Sequence, residues 1–160
     1  SRGEWRGAQF RTITEGDDLD VGSLSVSVEA AHDPLATPPV SYVIEYNETT
    51  LFHGGDTRHN PDILSDVGSR YDIDLGILAY GSNGMIADKE TGELRYRDWY
   101  ADGNEAVAAA ESLQLDRLLP THWDMWKGLR ADPKALFDHA KGMEYPRDIE
   151  IAEIGDRIDI

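Results

Sequence analysis

The sequence predicts an α/β fold, a mixed sheet with flanking helices in which strands come first and strand and helix units follow. Three observations carry that expectation. Leu24, Val26 and Val28 alternate with Ser25, Ser27 and Glu29, the period of a half-buried strand. Ile73 to Tyr80, reading IDLGILAY, is a nearly continuous apolar run, the pattern of a strand buried on both faces. Asn60-Pro61-Asp62 opens a helix to about Arg70, with Pro61 suited to the first turn and Ile63, Leu64 and Val67 spaced for one face.

The remaining elements follow in chain order. Phe10 to Thr14 and Leu19 to Val21 read as short strands around a turn at Glu15 to Asp18. The alternating strand ends at Ala30 and Ala31, followed by His32, Asp33 and a Pro-rich loop, PLATPP, that cannot continue a sheet. Tyr42 to Glu45 and Thr50 to Phe52 have the β-branched and aromatic character of strands and read as a hairpin. Gly81 to Gly103 is polar and rich in Gly and aromatic residues, which predicts a long surface loop. Its Tyr96, Trp99 and Tyr100 are candidates either to cover a substrate or to pack against the sheet. Glu105 to Leu115 is Ala-rich and helical, and Leu118 to Thr121 is a brief strand ending at His122. A third helix is expected over Pro133 to Lys141, and short strands over Ile149 to Ile154 and Arg157 to Ile160 would close the sheet.

Length and composition bound the rest. A chain of 160 residues suits one domain with a real core. No cysteine is present, so disulfides and thiolate metal sites are excluded. No apolar run approaches the ~20 residues of a membrane helix, and no charged-then-apolar leader occurs, so a soluble, cytoplasmic protein is expected. The start at Ser1 without a methionine fits a processed product or the latter part of something longer. Net charge is −16, from 31 acidic against 15 basic residues, which argues against nucleic-acid binding. The acids favour Asp, few of the bases are Lys, and the charge is spread along the chain. That surface suggests a halophilic protein, in which molar salt screens self-repulsion.

The stretch Thr50 to Asn60, TLFHGGDTRHN, organises the chain. Gly54 and Gly55 permit a sharp turn that aims Asp56 outward from the carboxyl end of a strand, where ligands sit on layered α/β folds. Alone, Asp56 reads as well as a turn residue bonding nearby amides. Two further strands, however, deliver His32 and His122 to loops in the same manner. Two imidazoles and a carboxylate suit zinc, manganese or iron, and Asp124 is placed to orient a ligand or handle a proton. His53 and His139 are expected outside the cluster, the former because strand alternation turns it away; His59 is left open.

AAHD at 30 to 33, HGGDT at 53 to 57, DLGILAYGSN at 74 to 83 and PTHWDMW at 120 to 126 resemble the metallo-β-lactamase superfamily, in particular its L-ascorbate 6-phosphate lactonase-like branch. The resemblance spans about Asp18 to Lys141. It implies an αββα sandwich that hydrolyses esters, lactones, amides or phosphoesters of small molecules with a metal hydroxide. It further implies His32 as a ligand on a first metal, Asp56 as the bridging carboxylate and His122 as a ligand on a second, with zinc or manganese as the two ions. Trp123 stands where the branch has a second histidine. The family's His-x-His-x-Asp-His cluster occurs nowhere in these residues. The resemblance therefore makes 1–160 the carboxyl-terminal part of such a domain, half of the sandwich, inactive alone and inclined to self-associate or to pair with an amino-terminal half. The alternative is a non-catalytic remnant or partner-binding domain of the same fold.

Overall fold

A computed structural model describes residues 10–88, 90–125 and 130–160. The first nine residues of the chain and Trp126, the last residue of the PTHWDMW motif, therefore lie outside the described residues. The strands are β1 (Asp18–Val21), β2 (Leu24–Ala30), β3 (Val40–Tyr46), β4 (Thr49–His53), β5 (Leu75–Ala79), β6 (Gly84–Ala87), β7 (Leu94–Arg97), β8 (Arg117–Thr121) and β9 (Asp148–Ile149). The helices are α1 (Pro61–Arg70), α2 (Gly103–Leu113) and α3 (Pro133–Ala140). Seven strands form one mixed sheet in the order β1-β2-β3-β4-β5-β8-β9.

Pairing is antiparallel from β1 to β4 and parallel from β4 through β5 and β8 to β9. Two reversals return the chain to its starting direction, so β2, β4, β5 and β8 all point the same way. Their carboxyl ends lie along one edge, and the residues following each of them meet there.

The central hairpin forms as its pattern predicts. Tyr46 pairs with Thr49 across Asn47 and Glu48, and Asn47 takes the left-handed conformation (φ 52°) that Asn tolerates in such turns. In α1 the Asn60 side chain accepts the Ile63 N–H, Pro61 fills the first turn, and Leu64 and Val67 are buried. Helix α2 starts and ends two residues earlier than its Ala-rich run suggests. Asp102 and Glu105 form a reciprocal capping box that satisfies two otherwise unpaired amides.

Val43, Phe52, Gly76 and Leu118 are register partners on one face of the sheet. Val43, Phe52 and Leu118 join Leu64 and Val67 of α1, Ala110 and Leu113 of α2 and Leu136 of α3 in one core. Gly76 leaves room for Leu115, whose side chain occupies the space a Cβ would need. On the other face Ile44, Leu51, Ile77 and Leu119 are only half-buried. The helices thus cover one side of the sheet. Phe52 is fully buried at the centre of the covered face, so Phe52→Ala is expected to cost about 3–5 kcal/mol. Urea denaturation measures this; a loss below about 1 kcal/mol would show a core that collapses freely around the gap.

Three expectations are corrected. Phe10 to Thr14 is not a strand: Phe10 is 82% exposed, and Thr14 instead closes a turn by donating its N–H to the Asp17 carboxylate at 2.8 Å. The segment after β5 is not all loop, because β6 and β7 pair as a separate hairpin with Met85 opposite Tyr96. Short strands with exposed apolar residues give little periodic signal. Near the carboxyl end only Asp148–Ile149 pairs, against β8, and neither 150–154 nor 157–160 extends the sheet. No helix among the described residues is long and apolar enough to cross a membrane.

Candidate metal centre

The turn after β4 is built around its two glycines. A Cβ at Gly54 would lie 2.9 Å from side-chain atoms of both Leu78 and Thr57, and Gly55 has φ +57°, so the backbone passes close to β5 and reverses. The reversal is closed by the Thr57 N–H donating to the Gly54 carbonyl (3.0 Å) and by the Gly55 N–H donating to His53 Nδ1 (3.1 Å). Asp56 emerges at the tip, half-exposed, as the glycine pair predicts.

His122 follows β8 with φ +66°, a left-handed conformation that costs energy for a side-chain-bearing residue and here directs the ring back toward the β4 turn. Its Nδ1 lies 2.9 Å from Asp56 Oδ1. Yet this Nδ1 is buried and makes no aligned hydrogen bond. The two atoms are close without pointing a proton at one another, an arrangement that suits two lone pairs directed at a common cation. An imidazole nitrogen and a carboxylate oxygen are also the donors that zinc and manganese accept. On both counts the pair fits a divalent ion.

His32 reaches the same edge through its backbone. Its N–H donates to Thr57 Oγ1 (2.8 Å), and its carbonyl accepts the Arg58 N–H (2.8 Å). The structure therefore stitches the AAHD loop to the turn that carries Asp56. Among the described residues no three His, Asp or Glu side chains form a group able to hold an ion, so Asp56 and His122 meet as a pair, while His32 is exposed on a loop tied to the same turn by its backbone.

The other candidates separate. His53 caps the glycine turn through its ring; His59 lies against Ser112 of α2 (Nε2 to Oγ, 3.3 Å); His139 is on α3 near Gly103. The open histidine, His59, thus belongs to the helical layer. Asp124 is exposed and lines, with Thr121, His122, Trp123, Glu153 and Ile154, an open cavity of about 580 Å³. Trp123 also packs against the core, so part of its surface is committed to structure. Of the three loop aromatics, Tyr96 is 64% exposed, and Trp99 lies under the Arg97 guanidinium at 5.6 Å. Tyr100 is buried, its ring edge-on to His122 with centroids 5.5 Å apart. Gly81 makes room for it, since a Cβ there would come within 2.8 Å of the Tyr100 ring.

Sequence reasoning missed Thr57 and Arg58. Thr57 is 4% exposed, and its hydroxyl accepts from His32. Arg58 Nη2 donates to both carboxylate oxygens of Glu105 (2.6 and 2.7 Å), and Nη1 lies 3.2 Å from Asp98 Oδ1. Burial opposes the Arg58 charge, but hydrogen bonds to Glu105 and Asp98 and their negative charge outweigh it, leaving the guanidinium pKa raised. The only signal in the sequence is the Arg that follows GDT.

With this geometry in view, a family model for the beta-lactamase superfamily domain matches residues 2–123. A UPF0173 metal-dependent hydrolase of Exiguobacterium sp. is 30% identical over 107 residues, 66% of this chain and 41% of that protein. A probable L-ascorbate-6-phosphate lactonase of Salmonella gallinarum is 28% identical over 105 residues, 65% of this chain and 26% of its own length. The chain thus spans less than half the length of these curated relatives. Among solved structures, a metallo hydrolase of the archaeon Ignicoccus hospitalis superposes with a TM-score of 0.72 at 18% identity, over 94% of this chain and 60% of that one. The metallo-beta-lactamase fold protein YhfI of Bacillus subtilis gives 0.61 at 17% identity, over 88% and 52%.

Proposed function

This chain belongs to the metallo-β-lactamase superfamily, and from that premise we propose that it is the carboxyl-terminal part of a metal-dependent, lactonase-like hydrolase of a small molecule. The observation that carries the reading is the unaligned contact between the buried His122 Nδ1 and Oδ1 of the half-exposed Asp56 at the carboxyl edge of the sheet. His32, Asp56 and His122 would hold two divalent ions, zinc or manganese. Such ions supply, when bound, an acidified water and a Lewis acid for the scissile oxygen.

The chain's own residues prepare that site. Asp56 is held at the tip of a turn that two glycines and Thr57 define, with its carboxylate directed at His122. Tyr100 walls one side of the His122 ring and limits its rotation. Asp124, which lines the cavity with His122, would accept a proton from a substrate lying there or return one to it. The imidazoles would bind a cation through a neutral ring nitrogen.

Three ligands divided between two ions leave each with two protein groups at most, too few to hold it firmly and acidify water. These 160 residues alone are therefore expected to show no metal-dependent turnover. The test is an assay with zinc and then manganese on a generic lactone and on a phosphodiester, repeated after adding a separately made amino-terminal half bearing a His-x-His-x-Asp-His cluster. Turnover only after complementation supports the reading. Turnover by this chain alone, lost on His122→Ala, would show the site to be self-sufficient. A second reading, a non-catalytic partner-binding domain, draws on the lack of a three-ligand group among the described residues. Stable association with the second half, with no turnover under either metal, favours it.

A further inference from the structure

We propose that Arg58 is a positioning residue that locks the loops of the candidate metal centre to one another, a role that rests on the metal reading above. Its backbone and side chain act at two different places. The Arg58 N–H donates to the His32 carbonyl at 2.8 Å, while the neighbouring Thr57 hydroxyl accepts the His32 N–H at 2.8 Å. His32 is thus held through both its N–H and its carbonyl by two consecutive residues, and the step from Asp56 to Arg58 sets where the His32 backbone lies.

The Arg58 side chain runs the other way, to the start of α2. Both Glu105 oxygens accept from Nη2, and Glu105 is itself fixed, since it is the third residue of the helix and its Oε2 accepts the Asp102 N–H at 3.3 Å. Nη1 meets Asp98, through its carboxylate at 3.2 Å and its carbonyl at 3.4 Å. Asp98 lies two residues before Tyr100, whose ring stands edge-on to His122. One guanidinium therefore closes a circuit from His32 and Asp56, through Asp98 and Tyr100, to His122. The Arg58 side chain is 18% exposed and its partner Glu105 30%, so that pair is less open than surface pairs to the solvent that weakens them, whereas Asp98 is half-exposed. By contrast, the Arg95–Glu93 and Lys134–Asp138 pairs are exposed and touch no candidate ligand.

Lysine would keep the charge but could not span two acceptors with a planar fork. A neutral glutamine loses both the charge and the fork. The experiment compares wild type with Arg58→Gln, Arg58→Lys and Glu105→Gln, and uses Arg95→Gln as the control. One readout needs no metal: hydrogen exchange of the His32 amide, which reports opening of the grip. The other is affinity for manganese alone, by calorimetry with the amino-terminal half added.

Arg58→Gln is expected to speed His32 exchange at least tenfold and to weaken manganese binding by about 10-fold, within the range seen when groups supporting metal ligands are removed. Glu105→Gln should move both readouts in the same direction by less. Arg58→Lys should recover part of the manganese affinity, and Arg95→Gln should change nothing. Lowered thermal stability with His32 exchange and manganese affinity unchanged would overturn the proposal, making Arg58 a structural ion pair only. If Arg58→Gln does not fold, Glu105→Gln decides by the same two readouts. Should wild type bind no manganese even with the amino-terminal half added, the metal reading fails, and the positioning role stands or falls on His32 exchange.

Discussion

Replacing Asp56 with alanine is expected to abolish measurable binding of zinc and manganese, a loss of at least about 100-fold given that even groups behind the ligands are worth 10–100-fold. Asp56 is proposed as a ligand on its position. It stands on a turn whose two glycines bring the chain close to β5 and reverse it, and its oxygen lies 2.9 Å from an imidazole nitrogen that has no aligned hydrogen bond. A residue retained only as a turn former would bond nearby amides, and the amides of this turn are closed by His53 and by the Gly54 carbonyl instead. Asp56→Asn separates the two roles, since the amide keeps the shape and loses the charge. Calorimetric titration of wild type and both variants, alone and with an amino-terminal half, reads the result. Unchanged affinity in Asp56→Asn would remove the carboxylate from the site, and equal loss in both variants would place the negative charge at the ion.

Stability should rise steeply with salt. A net charge of −16 on a chain of this size opposes the compact state, and raising ionic strength from about 0.1 M to 1 M shortens the screening length from about 10 Å to about 3 Å. Relief of repulsion by roughly 3 kcal/mol would raise the melting temperature by on the order of 10 °C, at about 2–4 °C per kcal/mol for a domain this long. Several ion pairs, among them Arg58–Glu105 and Arg70–Glu29, are partly buried and are screened less than surface pairs, so they persist while the general repulsion fades. Calorimetric scans in potassium chloride check this, and they also test the proposal that the protein is halophilic. A midpoint independent of salt would reject it.

Much of this molecule was legible from local pattern. The alternation in β2, the paired runs of β3 and β4, the Asn-Pro start of α1 and the apolar run of β5 each depend on residues a few positions apart, and the chain reads those periods directly. His32, Asp56 and His122 stand out as candidates because each follows a strand. Weak local patterns failed: Phe10 to Thr14 has β-like residues and no partner strand among those described, whereas β6 and β7 pair with each other despite a polar, Gly-rich setting.

Strand order was decided by tertiary structure alone. Only the sequence of antiparallel and then parallel pairings brings the carboxyl ends of β2, β4 and β8 to one edge, and only the left-handed backbone at His122 turns its ring onto Asp56. The Arg58–Glu105 contact joins residues 47 apart, with nothing near either one to announce the other, although the Asp102–Glu105 capping box was there to be read. Hydrophobic period and capping are local properties, set by the geometry of a single strand or helix. Which polar groups meet across the sheet edge depends on how the whole apolar face is buried, and that is a property of the assembled fold.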